Sequence, residues 1–176
     1  QVRDEWKPLW GKRAVVEDHF NELVIDLVNP AGQPERMQLV VRGYNDGFAF
    51  CYKIPDGEGP RVNVQSELTA YNFAGDYTAW FYNGENHNIG PEKLTETDGT
   101  RLPVMTVKAG DKHYMAIHEA CLETGAPLVL QSKGGESLFS VASKPTSLSP
   151  GYTSAWRVVL YGTTPGVLTD SHLLEL

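Results

Sequence analysis

Apolar side chains recur along this chain at every second position and almost nowhere at helical spacing. Within 23–28, Leu23, Ile25 and Leu27 fall on one face of an extended segment, and Met37, Leu39 and Val41 alternate with Arg36, Gln38 and Arg42. Phe48, Phe50, Tyr52 and Ile54 alternate in the same way with Ala49, Cys51 and Lys53. Successive side chains of a strand point to opposite faces, so these rows predict half-buried strands whose apolar members face inward. Between the last two rows stands Gly43-Tyr44-Asn45-Asp46-Gly47. It predicts a hairpin, because Asn, Asp and Gly tolerate the positive φ that tight turns use.

Further strands are predicted over 67–73, 78–82, 103–107, 112–120, 127–131, 137–143 and 156–161, with turn-rich stretches such as Asp56-Gly57-Glu58-Gly59-Pro60 and Lys133-Gly134-Gly135 between them. Only 10–20 is expected to hold a short helical turn. Gln1–Trp6 shows no strand pattern, and 171–176 reads as an apolar linker toward something beyond. Many short strands separated by turn signals predict an all-β chain of one domain, 1–176, built as two stacked sheets.

Composition narrows the classes. With 176 residues, 41% hydrophobic and 21% charged, the chain can bury one core, and disorder is not expected. The formal net charge is −7 and the 15 Lys and Arg are scattered. That argues against a nucleic-acid partner, whose phosphates need a basic stripe. No apolar run approaches the roughly 20 residues of a spanning helix. Cys51 and Cys121 fall in or beside predicted strands and read as small buried residues, their pairing left open.

Catalytic signals are sparse. There is no Gly-x-Ser-x-Gly elbow, and neither Cys has a protease context. His19, His87, His113, His118 and His172 form no His-Glu-x-x-His, and Cys-x-x-Cys is missing. Trp80, Phe81 and Tyr82 could offer a sugar-stacking platform, but alternation splits them between two faces, and core packing is the simpler account. Trp156 reads likewise, with Arg157 on the opposite face. One stretch is unusual. On a strand through His113–Ala120, Met115, Ile117 and Glu119 share a face, so a carboxylate ends an apolar row. Such a group must be paired, hydrogen-bonded or bound to a cation, unless it emerges at the strand end into water.

Several segments together resemble one family. Trp6-Lys7-Pro8-Leu9-Trp10-Gly11, His19-Phe20-Asn21-Glu22-Leu23, Leu39 through Phe50, Ile117-His118-Glu119-Ala120-Cys121-Leu122 and Ala155-Trp156-Arg157-Val158-Val159 are similar, in that order, to signatures of the N-terminal domain of glycoside hydrolase family 97. The resemblance implies a β-supersandwich of the galactose-mutarotase type, with the strands that normally precede the Trp-x-Pro segment absent from this chain. It implies an exo-acting α-glucosidase or α-galactosidase of Bacteroides-type bacteria, periplasmic or secreted. Catalytic carboxylates would lie on a (β/α)8 barrel expected after residue 176, because such a barrel needs about 250 residues. This chain would then hold no catalytic residue, pack on the barrel and help wall a pocket for an oligosaccharide. By the same resemblance Glu119 is a ligand to calcium shared with barrel carboxylates, in keeping with an ion that takes about six to eight oxygens from several segments. The competing expectation is a free-standing carbohydrate-binding or cell-surface adhesion sandwich. A mutarotase-like epimerase is a weaker third, since no His and Glu pair can be placed as acid and base.

Overall fold

The computed structural model describes residues 1–28, 37–85, 87–123 and 125–176. The expected hairpin forms between β3 (Met37–Tyr44) and β4 (Gly47–Lys53), with Tyr44 opposite Gly47. Asn45 and Asp46 make the turn without positive φ, which Cys121 alone adopts among the described non-glycine residues. Gly47 is needed for a different reason. A Cβ there would lie 2.2 Å from the carbonyl oxygen of Val159, so the glycine lets β4 lie against β14 (Trp156–Gly162).

The remaining strands are β1 (Val2–Trp6), β2 (Val16–Leu27), β5 (Val62–Val64), β6 (Ala70–Asn72), β7 (Thr78–Tyr82), β8 (Asn88–Lys93), β9 (Asp98–Lys108), β10 (Tyr114–Ala120), β11 (Leu130–Lys133), β12 (Leu138–Val141) and β13 (Thr146–Leu148). Hydrogen bonds run in the order β1-β2-β3-β4-β14-β10-β9-β11-β12-β6, with β7 and β8 branching from β9, and β5 and β13 form a separate pair. Every pairing is antiparallel. β9 serves two layers: Asp98–Arg101 pair with β11, whereas Met105–Lys108 pair with β10. The sheet thereby folds over itself into a sandwich.

Between the layers Phe81, Leu94, Met105, Val107, Ile117, Leu128, Leu130 and Phe139 form the main core. The other face of β10 and β14 carries a second core of Ala49, Ala116, Val158 and Leu160, covered by Leu168 of α1 (Pro165–Asp170) and by Leu173 of the following 3-10 turn. β10 and β14 are therefore covered on both faces.

Several expectations are corrected. Gln1–Trp6 does contain a strand, β1, paired with the first half of β2, and no helix occupies 10–20. The segment at 171–176 is no free linker, since Leu173 is buried against the second core. The row Leu23, Ile25 and Leu27 is exposed, Leu23 at 58%, because residues 21–27 of β2 are uncovered on both faces, Val24 on the opposite side included. Met37, Leu39 and Val41 are only half-buried; Arg36, their expected polar alternate, lies outside the described residues. On β4 the small residues Ala49 and Cys51 are buried, while Phe48 is 43% exposed and Phe50 and Tyr52 are half-buried. The bulky row shares the face of Val159, as the pairing Phe48 with Val159 shows, but lies to the side of the second layer. In β7 it is Phe81 that enters the core, and Trp80 and Tyr82 share the exposed face.

The cysteines also part company. Cys51 is buried and burial pushes its thiol up to about 11, with Arg42 pulling the other way; Cys121 is exposed just past β10. Both are free. Because the thiolate is the nucleophile, a maleimide is expected to add once to the native protein, at Cys121, and a second time only after unfolding. Mass spectrometry of the intact and digested adducts reads this directly; rapid double labelling of native protein would contradict the burial of Cys51.

Candidate functional site

β10 and β14 bring the notable charges together. Their register sets Glu119 opposite Arg157, and directly opposed residues of an antiparallel pair project on the same face. That face is the one on which Met115, Ile117 and Val159 meet the main core. The apolar row ends, as expected, in a carboxylate, but Glu119 is not solvated: its side chain is only 10% exposed. Its Oε2 accepts a hydrogen bond from the Leu128 N–H and lies 3.8 Å from Arg157 Nη1. No described residue bonds its Oε1.

Arg157 is itself buried, 4% exposed. Its Nε and Nη2 donate to the two carboxylate oxygens of Glu67, at 3.1 and 2.7 Å. This bidentate pairing is the strong form of a charge-assisted hydrogen bond. Glu67 lies in the irregular stretch between β5 and β6, where its backbone N–H donates to Ser143 Oγ at 2.7 Å. One guanidinium thus faces two carboxylates, and one negative charge is left over. Burial opposes the Arg157 charge, but hydrogen bonds and charge from Glu67 outweigh it, so its pKa stands above that of an ordinary arginine. Burial pushes the nearby Tyr71 phenol far above its usual range, against the pull of Arg157. Arg157 Nη1 and the Tyr71 hydroxyl are both buried without a partner among the described residues.

Arg157 and Glu67 line an open cleft of about 920 Å³, together with Tyr52, Tyr152, Pro127 and Leu148. The volume falls in the range of small-molecule sites, and a mostly apolar wall with a few convergent polar groups is their usual make-up. Sequence reasoning found Glu119 but missed Glu67 and the role of Arg157. The signal for Arg157 was available: a charge inside Trp156-Arg157-Val158-Val159-Leu160 shares its face with Val159, as Glu119 shares one with Ile117. Glu67 opens the segment 67–73 predicted as a strand, where alternation sets it with Tyr71 and Phe73, but the strand that forms is only β6 (Ala70–Asn72), and Glu67 sits before it.

The histidines are dispersed. His113 Nδ1 lies 2.7 Å from the Tyr161 hydroxyl, His19 lies beside Gln1, and His172 Nδ1 accepts from the Glu17 N–H at 2.9 Å. His118 is held toward its neutral form by burial, which the charge of Glu119 opposes. Among the described residues no three His, Cys, Asp or Glu cluster as a metal cage, and no helix is long and apolar enough to cross a membrane. Trp156 stacks instead on Arg42, whose guanidinium lies 4.6 Å from its ring and 4.2 Å from that of Phe20.

Comparison with known proteins gives a consistent result. The sequence model of a family described as Glycosyl-hydrolase 97 N-terminal matches residues 1–176. Three solved structures from Pseudoalteromonas sp. strain K8 share the fold, each described as a glycoside hydrolase family 97 enzyme. One is a complex with acarbose (TM-score 0.80), one a substituted form with panose (0.79) and one a further variant (0.80). Each is 21% identical to this chain and matches 98% of it, and the match spans 28% of the solved chain.

Proposed function

The chain belongs to the glycosyl-hydrolase 97 N-terminal family, and from that premise we propose that it is the non-catalytic β domain of an exo-acting α-glycosidase. In this reading it packs on a catalytic barrel of the same polypeptide and helps to wall the pocket that receives an oligosaccharide. The α-glucosidase or α-galactosidase activity, and a periplasmic or secreted location, belong to the whole enzyme. Glu119 supplies one oxygen to a calcium ion whose other ligands come from the barrel.

The observation that carries this reading is the state of Glu119. Among the described residues its carboxylate is held through Oε2 alone, at the end of a strand fixed on both faces, inside a charge cluster with one negative charge to spare. A hard cation takes oxygen ligands and favours such a surplus. Both oxygens of Glu67 are engaged by Arg157, so Glu119 is the member of the cluster with an oxygen to give. One donor oxygen suits a contribution to a shared site and is too little for a site of this chain alone. Calcium, when bound, supplies a fixed positive charge beside the pocket. The chain's own part is to hold Glu119 in place and keep its charge available.

Two measurements test the proposal together. The purified 176-residue chain is expected to turn over neither p-nitrophenyl α-glucoside nor p-nitrophenyl α-galactoside. In the longer enzyme Glu119→Gln keeps the shape and one acceptor oxygen but loses the charge; its calcium dependence is expected to weaken while the fold stays intact. Turnover by the isolated chain, or an unaltered calcium titration in the variant, would overturn the respective half of the reading.

A further inference from the structure

We infer that Arg157, clamped by Glu67, is the positioning residue for Glu119: it fixes the carboxylate in one orientation without cancelling its charge. The inference rests on the reading of Glu119 as a calcium ligand and names the device that makes it an effective one.

A glutamate at the end of a strand has three side-chain torsions to settle, and a ligand oxygen that wanders binds a cation poorly. Here two groups hold Oε2, the Leu128 N–H by a hydrogen bond and Arg157 Nη1 by its charge at 3.8 Å. Arg157 could not serve as a fixed point on its own, because its long side chain would swing. Glu67 removes that freedom by gripping Nε and Nη2, and is itself tied through its N–H to Ser143 Oγ. The planar fork of arginine is what permits this: two nitrogens are spent on Glu67 while Nη1 still faces Glu119. The resulting chain, Ser143, Glu67, Arg157, Glu119 and Leu128, joins the segment between β5 and β6 to β14, β10 and the stretch before β11.

Charge explains why Glu67 is part of the device. An unpaired guanidinium beside Glu119 would neutralise it and repel an incoming cation. With Glu67 satisfying Arg157, the charge of Glu119 remains for the ion. Partners behind metal ligands act in this way on orientation and basicity, and removing one typically weakens metal binding about 10–100-fold.

The test uses the longer enzyme and calcium alone as the probe, with no substrate present. Arg157→Lys keeps the positive charge in the site but cannot grip Glu67 and face Glu119 at once. It is expected to raise the calcium dissociation constant about 10-fold or more by calorimetric titration, and to speed hydrogen exchange at the Leu128 amide as Glu119 loosens. Glu67→Gln, which can still accept from Arg157, serves should the lysine variant fail to fold. It is expected to weaken calcium comparably, because Arg157 then turns its unbalanced charge on Glu119, with Leu128 exchange no faster than in the parent. A folded Arg157→Lys with unchanged affinity and exchange, beside a Glu119→Gln that does lose affinity, would overturn the positioning role and leave the ligand role standing. Unchanged affinity in Glu119→Gln would remove the ligand reading and this inference with it.

Discussion

Replacing Arg157 by methionine is expected to cost the domain about 3–5 kcal/mol of folding stability at neutral pH, the usual cost of breaking a buried ion pair from one side. Methionine keeps the apolar stem of arginine but not its guanidinium, so most of the stem's packing stays and the main loss is of charge. It comes from Glu67 and Glu119, whose side chains are 17% and 10% exposed and which would face each other across the site without their cation. Two such carboxylates repel each other, and their burial is left without a compensating charge. Urea unfolding at pH 7 measures the loss. A loss below about 1 kcal/mol, the figure for an exposed pair, would mean that the cluster is solvated in solution.

The partial legibility of this cluster in the sequence has a physical basis. Alternation along 113–120 places Glu119 on the face of Met115 and Ile117 because a strand has a side-chain period of two, and the structure keeps that row. Pairing of β10 with β14 is a long-range event that no local pattern encodes, and only the register Glu119 opposite Arg157 turns two isolated charges into a cluster. Glu67 falls in the predicted strand 67–73, but its place is fixed by Ser143 and Arg157 from distant parts of the chain, which no local pattern encodes. The same limit explains the inverted faces elsewhere. Period two shows that Leu23, Ile25 and Leu27 share a face and that Phe48, Phe50 and Tyr52 share another. Whether either is covered depends on how far the second layer and α1 reach. α1 comes from Pro165–Asp170, with Pro at the start of the helix, where a missing N–H costs nothing. Its contact with β14 and β10 closes the core in which Ala49 of β4 is buried.

That difference between a face and a covered face sets the second large effect. Phe139→Ala is expected to lose about 3–5 kcal/mol, the range for removing a fully buried aromatic ring. The Phe139 ring is completely buried on β12, meeting Phe73 edge-on with centroids 6.4 Å apart and Phe81 at 5.6 Å in a tilted contact. With Leu130 and Val141 it carries the contact of the folded-over layer with the layer holding β7, β9 and β10, so its loss opens a cavity that Leu130, Met105 and Ile117 can close only by shifting. Phe48→Ala provides the contrast, since Phe48 is 43% exposed and its ring already meets water; that change is expected to stay within about 1 kcal/mol. Denaturant unfolding of the pair separates the effect of burial from that of residue type. Phe139 also bears on the site, because Ile117 sits in the same core two positions before Glu119 on β10. In the longer enzyme Phe139→Ala is accordingly expected to weaken calcium binding somewhat as well as stability, whereas Phe48→Ala should leave calcium binding alone. Equal stability losses in the two variants would show that the two layers do not close on each other through Phe139.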